Sequence, residues 1–185
     1  MIKRWTWYFT LLLLLSGSLD ALSTTMVSPD LSGEHNPLIV ALGRSWSALF
    51  FVKGLTLLTA PLVFAISLRI LARRSARLCG KTGFAEIMSH LFFKQSIPFA
   101  HIATAYPKDP AAVAAFLGLC IALAPPVAAT LATFSNTFRL VNTLSHVVLF
   151  YTLTILLVLL LAHYLTYRLL SRGIEAERRT SRGTQ

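Results

Sequence analysis

Residues 46–71 read WSALFFVKGLTLLTAPLVFAISLRIL, and the reading of this stretch decides the fold. It is apolar almost throughout and lacks the period-two alternation that marks a barrel strand of about ten residues. A helix needs roughly 20 such residues to cross about 30 Å of hydrocarbon, and this run from Trp46 to Leu71 is long enough. Working outward, three further runs have the same character, at Trp5–Val27, Ala111–Phe134 and Ser145–Arg168. Residues are 55% hydrophobic and 13% charged, with a mean hydropathy of +0.66, a balance foreign to soluble domains. The expectation is an all-α polytopic membrane protein: four transmembrane helices in a small bundle, forming one membrane domain over residues 1–185.

The net charge is +10, which in a soluble chain would suggest nucleic acid. Its distribution argues for a bilayer instead. Lys3 and Arg4 precede the first span. Arg69, Arg73, Arg74, Arg77, Lys81, Lys94 and Lys108 lie at or between the second and third, and Arg168, Arg172, Arg178, Arg179 and Arg182 follow the fourth. The alternate loops carry only Arg44 and Arg139, and Lys53 lies within a span. By the positive-inside rule, both termini and the central loop are expected in the cytoplasm, with the inner (plasma) membrane as location. The lipid bilayer is the expected partner, with a membrane-protein partner or a homo-oligomer besides, and no nucleic acid. Lys3, Arg4 and the run after them also resemble a secretory signal, with Ala21 near a cleavage position. The apolar stretch continues to Val27, and Leu19 is poorly suited to a cleavage motif, so an uncleaved first span is expected.

The central loop, residues 72–110, contains GFAEIMSHLFFK, where Phe84, Ile87, Met88, Leu91 and Phe92 share one helical face. An amphipathic helix over 84–93 follows, lying at the membrane interface or packed under the bundle. Asp109-Pro110 reads as an N-cap followed by the first helical residue of the third span. Further along, Ala124-Pro125-Pro126 predicts a kink or break and a candidate hinge at Pro125 and Pro126. Residues 169–185 form a basic tail whose end, RRTSRGTQ, is expected without regular structure. Cys79 and Cys120 do not suggest a disulfide or a metal site.

Within the first span, SGSLDALSTTMV places Asp20 where lipid should exclude a carboxylate. Such a group costs several kcal/mol and normally faces the bundle interior with a partner. Ser16, Gly17, Ser23 and Thr24 lie one turn away on either side, a small polar stripe that lets another helix approach. Asp20 stands seven residues before Val27, and Lys53 seven after Trp46. Both are therefore about 10 Å deep from the same face. Antiparallel neighbours would bring them together as an intramembrane pair. In the intervening loop, Asn36-Pro37 reads as a helix start, either of a short helix ending near Gly43 or of an extended second span, with Glu34 and His35 just before it. This polar group either locks the first two spans together or binds a proton, cation or polar ligand. A metal on Asp30, Glu34 and His35 is weakly supported, and no metal or other cofactor is expected.

The order Asp20…Thr24…Glu34-x-Asn36-Pro37…Lys53 resembles a family of small prokaryotic membrane proteins classed as a domain of unknown function. The resemblance covers about residues 10–75. It implies a prokaryotic membrane location and a compact multi-span bundle, and it implies no activity. The family's loop before Glu-x-Asn-Pro is glycine-rich, whereas this one reads Ser28-Pro29-Asp30-Leu31-Ser32-Gly33.

No nucleophile elbow, HExxH, P-loop or dinucleotide fingerprint occurs. His146 and His163 are seventeen residues apart on the fourth span, about 25 Å, too far to share a metal. His90 and His101 fall in the central loop without an evident role. The expected function is a noncatalytic assembly, partner-binding or regulatory component of the inner membrane. The alternative is a small transporter or ion-coupled subunit that uses Asp20 and Lys53.

Overall fold

The structure is a computed structural model. It describes residues 2–32, 37–74, 78, 83–98, 105–137 and 144–182. Glu34, His35, Asn36, Arg77, Cys79, Lys81, His101 and Arg139 lie outside the described residues. Six helices account for nearly all the rest: α1 (Ile2–Val27), α2 (Pro37–Ala41), α3 (Trp46–Ala72), α4 (Phe84–Phe93), α5 (Pro110–Thr137) and α6 (Leu144–Arg182). Four of them, α1, α3, α5 and α6, are long and apolar enough to cross a bilayer. The protein is a multi-pass, all-helical membrane protein.

Lipid tails are as apolar as leucine, so helices in a membrane associate through close packing rather than hydrophobic exclusion. That requirement explains why α5 takes the centre, touching α1, α3 and α6. Its Ala112, Ala115, Leu119, Ala122 and Pro126 recur at three- and four-residue steps and are buried, a narrow small-residue face. Gly118 marks the closest approach: a Cβ there would lie 2.6 Å from Ser67 Oγ on α3. Outward-facing residues such as Leu58 (76% exposed) and Ile121 (69%) are apolar, as a lipid-facing surface must be.

At the end of the bundle bearing the chain termini, Phe9 and Phe64 stack with centroids 4.3 Å apart. The core continues through Leu68, Leu71, Leu169 and Leu170. Arg172 lies over the Trp5 ring, 5.8 Å from its centroid, joining α6 to α1. Beneath this end sits α4, with Ile87, Met88 and Leu91 of its expected face buried in the core, Phe92 half-buried and Phe84 exposed. Of the two placements open for this helix, packing under the bundle is the one these burials describe. Ser89 fixes its exit, donating to Gln95 O at 2.8 Å and accepting from Ile97 N at 2.7 Å.

Two expectations need correction. The break at Ala124-Pro125-Pro126 does not occur, for α5 is helical from Pro110 through Thr137 across both prolines. A broken helix in hydrocarbon would expose backbone groups with no water to satisfy them, so a proline helix buried among neighbours stays helical. Residues 178–182 of the tail are not irregular either, for α6 runs on to Arg182, while 183–185 lie outside the described residues. Leu169, Leu170 and Ile174 anchor that extension in the core, and the Ala, Glu and Arg that follow favour helix.

At the opposite end, the α1–α3 connection forms a second small core of Leu31, Ile39 and Leu49, with Ala21, Trp46 and Val52 against it. Of the alternatives for Asn36-Pro37, the short helix α2 is realised. Gly43 (φ 87) and Arg44 (φ 49) then turn the chain, and Ser45 caps α3 by accepting from Ala48 N at 3.2 Å. Leu31 takes the left-handed conformation (φ 59) that glycine normally supplies. Its complete burial offsets the local strain.

Candidate functional site

Asp20 and Lys53 are brought together. Lys53 Nζ donates to Asp20 Oδ2 at 2.7 Å, across α3 and α1. The helices are antiparallel and their connection is short, so equal depth from the same end becomes proximity. The pair is not sealed: the two side chains keep 25% and 19% of their surface. Both line a cleft of about 740 Å³ bounded by α1, α3, α5 and the start of α6.

Of the stripe around Asp20, Ser23 and Thr24 meet α5 instead of following the carboxylate towards α3. Ser16, Ser23 and Thr24 are buried. Ser23 Oγ and Thr24 Oγ1 accept from Asn136 Nδ2 of α5, at 3.1 and 3.5 Å. Ser16 returns its proton to Leu13 O at 3.2 Å, and Ser23 to Asp20 O at 3.0 Å. Residues three and four apart straddle a helix face widely enough to meet both α3 and α5. Gly17 faces open space, as does Gly54 beside Lys53: a Cβ at either meets nothing within 4 Å. Both glycines line the cleft.

The free valences decide what the cleft can do. Among the described residues, Asp20 Oδ1, two protons of Lys53 Nζ and Asn136 Oδ1 make no further hydrogen bond. A lysine ammonium has three donors and a carboxylate several acceptor positions, so both donors and acceptors stand idle in a membrane cleft where idle polar groups are costly. Pro125, the expected hinge residue, lies on the same wall, whereas Pro126 is fully buried. Ser28 and Ser32 rim the cleft at the loop end. There Asp30 Oδ1 accepts from Ser28 Oγ, Ser32 N and Ser32 Oγ at 3.3, 3.1 and 2.9 Å. These bonds, led by that from Ser32 N, hold the Asp30 carboxyl below its ordinary pKa. Trp46 Nε1 donates to Pro29 O at 2.9 Å and ties this loop to α3. Pro37 heads α2, while Glu34, His35 and Asn36 fall outside the described residues.

Sequence reasoning missed two features. Asn136 falls in the last turn of α5, two residues beyond Phe134, where the apolar run ends; extending the span through Ser135-Asn136 would have found it. The second feature is an ion pair at the terminal end. Arg74 donates to Asp109 through Nε and Nη2, each at 3.0 Å, and Nη1 donates to Ile70 O at 2.8 Å. Asp109 also caps α5, with Oδ1 accepting from Ala112 N at 2.9 Å. The Arg74 hydrogen bonds are the chief cause of a lowered Asp109 pKa. A smaller depression of about 300 Å³ adjoins this pair, reaching His90 and Lys94.

His163 is packed against aromatic rings, Phe116 at 4.6 Å and Phe84 at 6.3 Å between centroids. Its Nδ1 is 2.8 Å from Leu159 O. Among the described residues no group of three His, Cys, Asp or Glu side chains is placed to hold a metal ion. No family model, no curated protein and no solved structure matches this chain.

Proposed function

We propose that this chain is a noncatalytic component of a prokaryotic inner membrane that binds a partner within the bilayer, in the cleft walled by Asp20 and Lys53. The observation that carries the reading is that Asp20, Lys53 and Asn136 line that cleft with donors and acceptors that make no further hydrogen bond among the described residues. A charged pair that served only to hold α1 on α3 would need no open space beside it. This one is partly open, beside two glycines that keep the space clear. The basic residues at the terminal end support an orientation with both termini and the α3–α5 connection in the cytoplasm, and the cleft towards the outer leaflet. The order Asp20…Thr24…Lys53 supports kinship with the small prokaryotic membrane family of unknown function.

Photocross-linking tests this. A diazirine-bearing leucine at position 132, inside the cleft, is expected to give a discrete adduct that Gly54→Phe suppresses. The same probe at position 58, facing lipid, is expected to give only bulk-lipid adducts. Identical labelling at the two positions contradicts the reading.

A second reading, ion-coupled transport, is favoured by one observation: both charges and Pro125 line the same cleft. It requires pH- or ion-dependent flux in reconstituted vesicles that Asp20→Asn abolishes while folding is retained.

A further inference from the structure

The shape and polarity of the cleft narrow the kind of partner, on the premise that the cleft binds one. On α1 its lining runs from Leu13 to Val27, about 21 Å at 1.5 Å per residue. Its volume of about 740 Å³ falls within the range of small-ligand sites, about 300–1,000 Å³.

Polarity changes along this length. The deep end is walled by Leu13, Leu14 and Leu57, next to Thr56. Asp20 and Lys53 stand midway, and the loop end sets Thr24, Ser135 and Asn136 among Val27, Phe50 and Phe150. Such a gradient matches a molecule with one hydrocarbon chain directed inward and a head group lying between the ion pair and the loop. The wall also constrains the head. Asp20 and Lys53 together are neutral, which gives a net-charged head no advantage, and they offer donors and acceptors at once. Hydroxyl groups both donate and accept and so complete the two kinds of idle group together.

We infer that the cleft binds a neutral, hydroxyl-bearing, single-chain amphiphile of the monoacylglycerol class, its hydroxyls bonded to Lys53 Nζ, Asp20 Oδ1 and Asn136 Oδ1. The bilayer supplies such molecules to the cleft, on whose wall Gly17 and Gly54 leave room.

The test is equilibrium binding of tritiated 1-monooleoylglycerol to the full chain in phosphatidylcholine nanodiscs, with tritiated oleate as the charged control. Saturable binding of one molecule per chain is expected, weakened at least about tenfold for oleate. Gly54→Phe, and independently Gly17→Phe, each place a ring at a position lining the cleft where a Cβ meets nothing within 4 Å. Each is expected to abolish binding while the thermal midpoint is retained. Lys53→Met is expected to weaken binding by about tenfold or more through loss of its charged hydrogen bonds. Absence of saturable binding, equal binding of oleate, or binding unchanged in both glycine variants overturns the assignment. If monooleoylglycerol fails to bind while the position-132 adduct still disappears in Gly54→Phe, only the identity of the partner is wrong. If that adduct is also unaffected, the partner-binding reading falls with it.

Discussion

Replacing Asp20 with Asn and Lys53 with Met, singly and together, separates the energetic role of the ion pair from its role as a binding wall. Each single replacement leaves one group without its mate inside the membrane. An unpaired charge at a helix centre costs about 2.5–3.5 kcal/mol on insertion scales, and removing one partner of a buried pair costs about 3–5 kcal/mol. Because the side chains retain 19% and 25% exposure, the cost is discounted to about 2 kcal/mol. For a chain of this size that corresponds to roughly 4–8 °C in thermal midpoint. The double replacement leaves neither charge, so its expected cost is below about 1 kcal/mol, and the coupling between the sites is about 3 kcal/mol. Thermal unfolding of purified protein in one detergent, with membrane abundance measured in parallel, gives all four corners of the cycle. Two single variants as stable as the parent, or a double variant as damaged as the sum of the singles, would refute the assignment of a stabilising pair.

Other expectations follow from the same geometry. Asp109 has a folded-state pKa lowered chiefly by Arg74, so its stabilisation is fully present above the unfolded carboxylate value. It is lost as pH falls through the still lower folded value. Thermal midpoints measured between about pH 3 and 7 should therefore fall at the acid end in the parent and fall less in Asp109→Asn. Arg74→Lys removes the two-pronged geometry and is expected to cost about 1–2 kcal/mol, read by the same thermal assay. Gly118→Ala brings a Cβ to 2.6 Å from Ser67 Oγ. It should destabilise the α3–α5 contact by about 1–3 kcal/mol, with recovery in Gly118→Ala/Ser67→Ala. Single-cysteine labelling should find position 33 reachable from the outer face alone, and labelling from the cytoplasm would reverse the orientation.

The meeting of Asp20 and Lys53 was legible because antiparallel spans convert residue counts from a shared face into depth, and both lie seven residues from a readable boundary. The helices themselves were legible for a related reason: apolar length is a strong signal in any sequence. Which neighbour each face meets was not. The α5 segment is apolar on all sides, so nothing in its pattern announces that it occupies the centre or that Asn136 reaches α1. The stripe of Ser16, Ser23 and Thr24 was visible, but that Ser23 and Thr24 meet Asn136 of α5 while Asp20 meets α3 depends on that hidden placement. In the sequence Arg74 is one of many topological charges, and its pairing with Asp109 depends on the fold that sets the end of α3 against the start of α5. The two prolines do not break α5, because their local cost is smaller than that of breaking a helix in hydrocarbon.

A crystal structure of the protein reconstituted in lipid bicelles would examine the central claim directly, at the space between α1, α3 and α5. The account predicts a bound molecule with a polar head within hydrogen-bonding distance of Lys53 Nζ and Asp20 Oδ1, its chain running towards Leu13. A cleft closed by direct packing of α1 on α3, with the ion pair sealed and nothing bound, would contradict it.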